Sequence, residues 1–202
     1  MCADTDNAVQ EGNEGNNCQR LLWGTAFGYD FVKNAHLAEW RSGAGQLKWP
    51  MVAGDTRGAA FLGHSALEDG KTYVNALATY PRQASGGSIQ GRFGEVYSKY
   101  RETRIGEIEM PANAKFTAMV GFKEGATATD GVAVAFGYVD PSGSVIILKR
   151  LNVYYDGVLD VVEVDLGSIA GEEVYFILRV EASGSYEQDW LVWVDPKVIQ
   201  EP

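Results

Sequence analysis

The second half of the chain repeats short runs in which apolar residues alternate with polar or small ones. In KFTAMVGF (115–122), every second residue from Phe116 to Phe122 is apolar, and Thr, Met and Gly stand between them. A period of two is that of a β-strand, whose successive side chains point to opposite faces of a sheet. DPSGS (140–144) then combines Pro and Gly between two such runs, which is typical of a hairpin connection. The pattern therefore predicts paired strands.

Further runs of this kind, separated by Gly, Asp and Pro turns, predict most of the fold. The predicted strands of the second half are 115–122, 132–139, 145–155, 155–166, 172–183 and 189–194. The glycine-rich first half predicts strands around 46–52, 57–63 and 88–93. Asp30 is a candidate N-cap for one short helical turn near 31–39. The fold class that fits is all-β, a β-sandwich of the jelly-roll type.

The last predicted strand, DWLVWVD (189–195), places its two tryptophans on opposite faces because its side chains alternate. The face that runs from Trp190 to Val194 is uniformly apolar, so we predict that it packs into the core. Trp193 then lies on the outer face. We expect that it is covered by a segment near 21–31 or contacts a partner.

The first 22 residues are rich in Asn, Asp, Glu and Gly, a composition that buries too little apolar surface to order itself. We predict a flexible or partner-binding segment at 1–22 and a single β-sandwich domain at 23–202, since no Pro-rich or Ser-rich linker interrupts the middle of the chain. The two cysteines, Cys2 and Cys18, leave three interpretations open. They form a disulfide in an oxidising compartment, Cys2 carries the lipid of a lipoprotein, or both are free thiols.

The charge balance limits the class of partner. The sequence has 17 Lys and Arg against 27 Asp and Glu, a net charge of −10. This charge disfavours nucleic acid and anionic membrane surfaces as partners. The longest apolar runs are also far too short to cross a bilayer, so we expect no membrane span.

The sequence offers little that could perform catalysis. The only histidines are His36 and His64, and GHSAL (63–67) lacks the G-x-S-x-G arrangement of a serine-hydrolase elbow. No ligand pair has zinc spacing. A hydrolase with paired acids stays as a third interpretation, because such pairs are set by space and not by local sequence. We predict no catalytic residue, no enzyme activity and no organic cofactor.

Acidic turns are the candidates for cation ligands, because Ca²⁺ takes carboxylate and carbonyl oxygens from loops. LEDGKTY (67–73), ATDG (128–131) and YYDG (154–157) contain such turns, and the start of the last strand adds another carboxylate. The candidate metal ligands are Asp69, Asp130, Asp156 and Asp189. The alternative interpretation is that these residues only form turns.

Aromatic residues beside polar ones at predicted loop ends are candidates for ligand contact, since sugar sites combine an aromatic platform with carboxylate or amide groups. The alternative is that they fill half-buried sheet positions. The candidate ligand-binding residues are Tyr97, Tyr100, Tyr154, Tyr155, Tyr186 and Trp190.

Several segments together resemble a group of extracellular β-sandwich domains of secreted proteins and lipoproteins from filamentous environmental bacteria. They are YDFVKNAHLAEWRSGAGQLKWP (29–50), LEDGKTY, GGSIQGRFGEV (86–96), VGFKEGATATDGVAVAFGY (120–138), VEVDLGSIAGEEVYFILRVEASG (162–184) and QDWLVWVDPKV (188–198). The ending D-W-x-V-W-V-x-P is similar to that of galactose-binding-like jelly rolls, which include carbohydrate-binding modules found beside glycoside hydrolases. The resemblance implies ligand contact at the loops of one end, a structural Ca²⁺ and a location outside the cell.

Two functional hypotheses follow. The first is a non-catalytic, extracellular or cell-surface β-sandwich that binds a polysaccharide or glycan and holds a structural Ca²⁺. The second is a self-assembling subunit of a surface layer or extracellular filament, in which residues 1–22 add a strand to an exposed sheet edge of a neighbouring copy.

Overall fold

The computed structural model describes residues 28–64, 66–99 and 102–200, with the backbone alone at 95–99 and 102–106. Within these ranges, fifteen strands form two antiparallel sheets and one separate hairpin. The predicted all-β sandwich is confirmed. The predicted helical turn is present as helix α1 (Phe31–Asn34), and the Asp30 side chain accepts a hydrogen bond from the Lys33 N–H at its N-terminus.

Sheet one is built around the last strand of the described chain. The strands follow one another across the sheet in the order β13 (Asp160–Asp165), β10 (Ala114–Phe122), β15 (Leu191–Gln200), β5 (Ala76–Tyr80) and β4 (Ala59–Leu62). Strand β1 (Gly28–Asp30) pairs with the C-terminal half of β15, beyond the residues that pair with β5. The strand at 57–63 predicted from the sequence corresponds to β4, whereas β5 was not predicted.

Sheet two contains a long hairpin, formed by β11 (Val132–Val139) and β12 (Val145–Val153). Across the sheet the strands have the order β12, β11, β14 (Glu173–Ala182), β6 (Ser88–Phe93), β2 (Glu39–Ser42) and β3 (Gly45–Leu47). Strand β9 (Ile108–Glu109) pairs with the start of β14, strands β7 (Glu95–Lys99) and β8 (Glu102–Gly106) form the separate hairpin, and a short 3-10 helix spans Gly167–Ile169.

Phenylalanine rings fill the space between the sheets. Phe116 of sheet one stacks on Phe136 of sheet two with ring centroids 3.8 Å apart. Phe31 from α1 makes edge-to-face contacts with both of these rings, and Phe176 packs on Phe136 from within sheet two. All four side chains are fully buried. Helix α1 is thus fixed by insertion of one ring into the sandwich core.

Trp193 corrects the prediction made for the last strand. It pairs with Val120 in β10, shares the inner face with it, and is 0% exposed, while its indole N–H donates to the Thr79 hydroxyl at 3.1 Å. Val192 and Val194 lie on the outer face, where Val192 is buried beside Leu67 of the β4–β5 connection. The face assignment was wrong because both faces of this strand are covered, so apolar uniformity did not distinguish them.

Candidate binding site at the loop end

Four connections meet at one end of the sandwich, which we call the loop end: 63–75, 123–131, 154–159 and 183–190. Strand register places them together, because Val132 at the start of β11 pairs with the last residues of both β12 and β14, and Phe122 pairs with Leu191. The β4–β5 connection reaches the same end through the Glu68 N–H, which donates to the Phe122 carbonyl.

Glu68 connects three elements of the loop end. Its Oε1 accepts a hydrogen bond from the Phe122 N–H at 2.8 Å, and its Oε2 accepts from the N–H groups of Asp156 and Gly157 at 2.8 and 3.0 Å. One carboxylate thereby fixes the end of β10 and the β12–β13 turn relative to the β4–β5 connection. Sequence reasoning missed Glu68, because its partners lie 54 to 89 residues away and no local pattern marks them.

Two of the four predicted metal ligands come together at the loop end. Asp189 is 2% exposed, and its Oδ1 accepts from the Thr129 hydroxyl at 2.5 Å. The next residue along the 123–131 loop is Asp130, whose Oδ2 accepts from the Ser185 N–H at 2.8 Å. Gln188 adds a third link through a hydrogen bond from the Ala128 N–H. The 123–131 and 183–190 loops are therefore joined at three successive residues.

The second oxygen of Asp189 has no partner. Oδ2 is buried and accepts no hydrogen bond from any described residue. Burial, with a smaller contribution from the negative charge of Asp130, raises the pKa of Asp189 to about 6, although the Thr129 hydroxyl opposes the shift. A buried carboxylate without a full set of partners is costly, so this oxygen favours a proton or a cation.

Two exposed tyrosines are anchored to the same loop. Tyr154 is 56% exposed and its ring lies on Gly131, where a Cβ would come within 2.7 Å of the ring. Gly131 also has a φ of +98°, so both the backbone and the ring contact require glycine. Tyr186 is 46% exposed and follows Ser185, the residue bonded to Asp130. The loop end thus presents aromatic surface next to a carboxylate.

The other predicted site residues have different surroundings. Tyr155 and Trp190 are partly buried against the core, with the Tyr155 hydroxyl accepting from the Gly125 N–H and the Lys123 ammonium 5.4 Å from the Trp190 ring centroid. Asp69 accepts from the Tyr73 hydroxyl and the Lys71 N–H, and Asp156 accepts from the Val158 N–H, so both take part in local turns.

Several predicted site residues have no described side chain. Tyr97 lies in β7, where only the backbone is described, and Tyr100, Cys2 and Cys18 lie outside the described residues, as do residues 1–22.

Within the described ranges, no group of three or more His, Cys, Asp or Glu side chains is arranged to hold a metal ion. A cation at Asp189 and Asp130 would therefore need backbone carbonyl, hydroxyl or water oxygens as further ligands, which Ca²⁺ accepts. No helix in these ranges has the length and apolar character needed to span a bilayer.

Comparisons by sequence give no relative: no protein-family model matches the chain. No curated protein is significantly similar to it.

Comparisons by structure give several neighbours at low identity. A Stig cyclase from Fischerella sp. TAU, solved with an indole ligand, has a TM-score of 0.50 and 14% identity over 86% of this chain and 89% of its own. The TmCBM61 module in complex with β-1,4-galactotriose has a TM-score of 0.47 and 13% identity over 85% and 94% of the two chains. The CBM51-2 and INT domains of Clostridium perfringens ZmpB give 0.47 and 15%, and this chain spans 30% of that chain.

At these identities the likeness extends to the fold alone. The neighbours include a cyclase as well as carbohydrate-binding modules, and the likeness assigns neither role to this chain. The resemblance drawn from the sequence is confirmed for architecture, because the described strands form the two antiparallel sheets of a β-sandwich.

Proposed function

We propose that this chain is a non-catalytic carbohydrate-binding β-sandwich whose glycan contacts lie at the loop end. The observation that carries the proposal is the attachment of exposed Tyr154 and Tyr186 to the Asp130–Gly131 loop. The proposal includes a polysaccharide or glycan as the partner and an extracellular or cell-surface location.

The chemistry of these groups suits a sugar. The C–H face of a pyranose ring packs on an aromatic ring, and a neighbouring carboxylate accepts hydrogen bonds from the hydroxyls. Hydrogen bonds hold these loops in place before a ligand arrives. The acceptors are the side chains of Glu68, Asp189, Asp130 and Gln188. A prearranged surface loses less conformational entropy on binding than a mobile one.

Removal of both rings is expected to weaken glycan binding about a hundredfold. The test is a glycan array, followed by titration calorimetry on the best glycan, with wild type and Tyr154→Ala/Tyr186→Ala. Loss of an aromatic–sugar contact of about 1–1.5 kcal/mol per ring should weaken binding by roughly a factor of 10 for each.

The matched control is Tyr154→Phe/Tyr186→Phe, which keeps both rings and removes both hydroxyls. We expect it to retain most of the affinity. Equal loss in the Phe and Ala variants would contradict ring stacking, and the absence of binding to every glycan would overturn the proposed function.

Ca²⁺ at Asp189 is part of the same proposal. The support is the buried Oδ2 of Asp189, which accepts no hydrogen bond from the residues that the structure describes, and the nearby carboxylate of Asp130. A cation there would neutralise two acidic groups and stabilise the loops that carry Tyr154 and Tyr186. These residues would hold the ion, and its role would be structural.

A second candidate function is self-assembly, favoured by the edge of sheet two. Among the described strands, β12 pairs only with β11, and its first three residues, Val145, Ile146 and Ile147, are each more than a third exposed. An exposed apolar edge strand accepts a further strand readily. In this alternative, residues 1–22 of a neighbouring copy supply that strand.

Sedimentation velocity at high protein concentration tests this alternative. If assembly occurs through the β12 edge, the full chain should form oligomers, and both deletion of residues 1–22 and Ile146→Lys should return it to monomers. A full chain that remains monomeric, or oligomers unaffected by both changes, would contradict it.

A further inference from the structure

Arginines follow one row across the outer face of sheet two. Strand register aligns Arg150 of β12, Ala135 of β11, Arg179 of β14, Gln90 of β6 and Arg41 of β2. Directly aligned residues of neighbouring strands lie on the same face. We call Arg150, Arg179 and Arg41 the arginine row. An arginine occurs at every second strand.

This row is positively charged on an acidic protein. Glu181 of β14 lies between two of its members, with Oε2 2.6 Å from Arg150 Nη1 and Oε1 2.5 Å from Arg179 Nη2. Arg41 has no acidic partner among the described residues, and Arg82 adds a guanidinium near Gly43 at the same side of the sheet. With Arg92 and its partner Glu39 one row further along the face, five arginines stand with two carboxylates, which leaves a local excess of positive charge although the whole chain carries −10.

The guanidinium groups hold donors that the protein does not use. Nε of Arg179 is buried and donates to no described acceptor, and the same is true of Nε of Arg92 one row further along the face. Arg41, Gln90 and Arg179, with Ser42, Gly43 and Ser88, line an open hollow of about 260 Å³. Every side chain in this lining is polar or absent, so the hollow suits a charged, hydrogen-bonding ligand rather than an apolar one.

Spacing identifies the ligand more closely. The guanidinium groups of Arg150 and Arg179 converge on Glu181 and form one positive centre. Neighbouring strands lie about 4.8 Å apart, so Arg41 lies about 10 Å from Arg179, two strands away. This separation is comparable with the length of one disaccharide in an extended β-linked polysaccharide. We propose that the outer face of sheet two binds an anionic polysaccharide bearing a carboxylate on alternate sugars, laid across the strands along the arginine row.

Pairing geometry supports an anionic group over a neutral sugar. A guanidinium presents a planar fork that matches a carboxylate with two parallel hydrogen bonds. Glu181 holds Arg150 and Arg179 in place, so little side-chain entropy is lost when a ligand carboxylate binds beside them. Nucleic acid is the less favoured polyanion, because its dense phosphate charge would be repelled by the −10 of the whole chain.

The test uses hyaluronan, which carries a carboxylate on every second sugar, with neutral dextran as the comparison polymer. Wild type is expected to bind hyaluronan in 10 mM NaCl and not dextran. Binding should weaken in 150 mM NaCl, as the screening length falls from about 30 Å to about 8 Å. Arg41→Gln should weaken binding about tenfold and Arg41→Gln/Arg179→Gln about a hundredfold, since a hydrogen bond to a charged group contributes about 1.5 kcal/mol or more.

The matched control is Lys33→Gln/Lys115→Gln. Like the double arginine variant it removes two positive charges, but from the side of the sandwich that carries sheet one. It should bind hyaluronan within about a factor of two of wild type, because short-range contacts and not net charge carry the affinity. Tyr154→Ala/Tyr186→Ala should also keep hyaluronan binding, which separates this face from the loop-end site.

Five results would overturn the inference. The first four are unchanged hyaluronan binding in Arg41→Gln/Arg179→Gln with a native melting profile, equal loss in the lysine control, equal binding of dextran, and tighter binding of a DNA duplex than of hyaluronan. Loss of hyaluronan binding in the tyrosine variant would place the ligand at the loop end and overturn it as well. If the tyrosine variant loses binding of the glycan found on the array but keeps hyaluronan binding, the inference about the arginine row stands.

Discussion

Phe136→Ala is expected to lower the free energy of unfolding by about 3–5 kcal/mol, the usual range for removing a buried phenylalanine side chain. The ring contacts Phe31, Phe116 and Phe176, so its loss opens a cavity where both sheets and helix α1 meet. The rigid strands on both sides limit collapse of the cavity, which favours the upper part of the range.

Urea unfolding followed by tryptophan fluorescence measures this change, and a thermal melt should show a fall of roughly 6–20 °C for a chain of this size. Val145→Ala is the matched control, because this side chain is 45% exposed at the start of an edge strand. The control should change stability by about 0.5 kcal/mol or less. A loss below about 1 kcal/mol for Phe136→Ala would contradict the assignment of this ring to the centre of the core.

The sequence pattern predicted those strands in which alternation is long enough to exceed chance. Strands β10 and β11 have nine and eight residues, and each alternates over nearly its whole length. Strand β5, ALATY (76–80), was missed because all five residues are buried and no alternation exists. Strands β1 and β2 are three and four residues long, which is too short for a periodic signal.

Trp193 illustrates a limit of pattern reasoning about faces. Alternation correctly separated Trp193 from Val192 and Val194, but it does not say which face is the inner one. That choice depends on the β4–β5 connection, whose Leu67 lines the same small cavity as Val192, and on the Thr79 hydroxyl, which accepts from the indole N–H inside the core. Both are long-range features of the fold.

The candidate site could be predicted residue by residue but not as a cluster. Acidic turns and loop-end aromatics identified Asp130, Asp189, Tyr154 and Tyr186 as candidates, whereas their convergence depends on which strands pair. The arginine row could not be predicted from the sequence for the same reason. Its members lie far apart in the chain, at positions 41, 150 and 179, and they are aligned only by strand register.

Asp189 should make the protein less stable as the pH rises from about 4 to about 6 in the presence of EDTA. In the folded state its pKa is raised from 3.8 to about 6, so the folded state keeps the proton that the unfolded chain loses. Stability from this group is complete below pH 4, falls between the two pKa values, and is about 3 kcal/mol lower above pH 6. Asp189→Asn should remove this decline, since an amide does not titrate.

Urea unfolding at half-unit steps from pH 4 to 8 gives the difference between wild type and Asp189→Asn at each pH, which cancels the general repulsion of an acidic chain. Asp130→Asn should move the transition to lower pH, because the charge of Asp130 raises the Asp189 pKa. Asp140→Asn is a control of opposite sign: hydrogen bonds from Ser142 and Ser144 lower the Asp140 pKa, so its contribution to stability is lost as the pH falls.

Ca²⁺ should reverse the decline at neutral pH if Asp189 and Asp130 hold it. A cation takes the place of the proton on the buried carboxylate, so stabilisation should be strongest above pH 6, where the proton is absent. At 100 times the dissociation constant, Ca²⁺ would add about 2.7 kcal/mol, which corresponds to a rise of roughly 5–10 °C in the melting temperature. Asp189→Asn should abolish this rise and Asp69→Asn should keep it. A rise that is equal in wild type and Asp189→Asn would place the ion elsewhere, and no rise at all would contradict a Ca²⁺ site at Asp189 and Asp130.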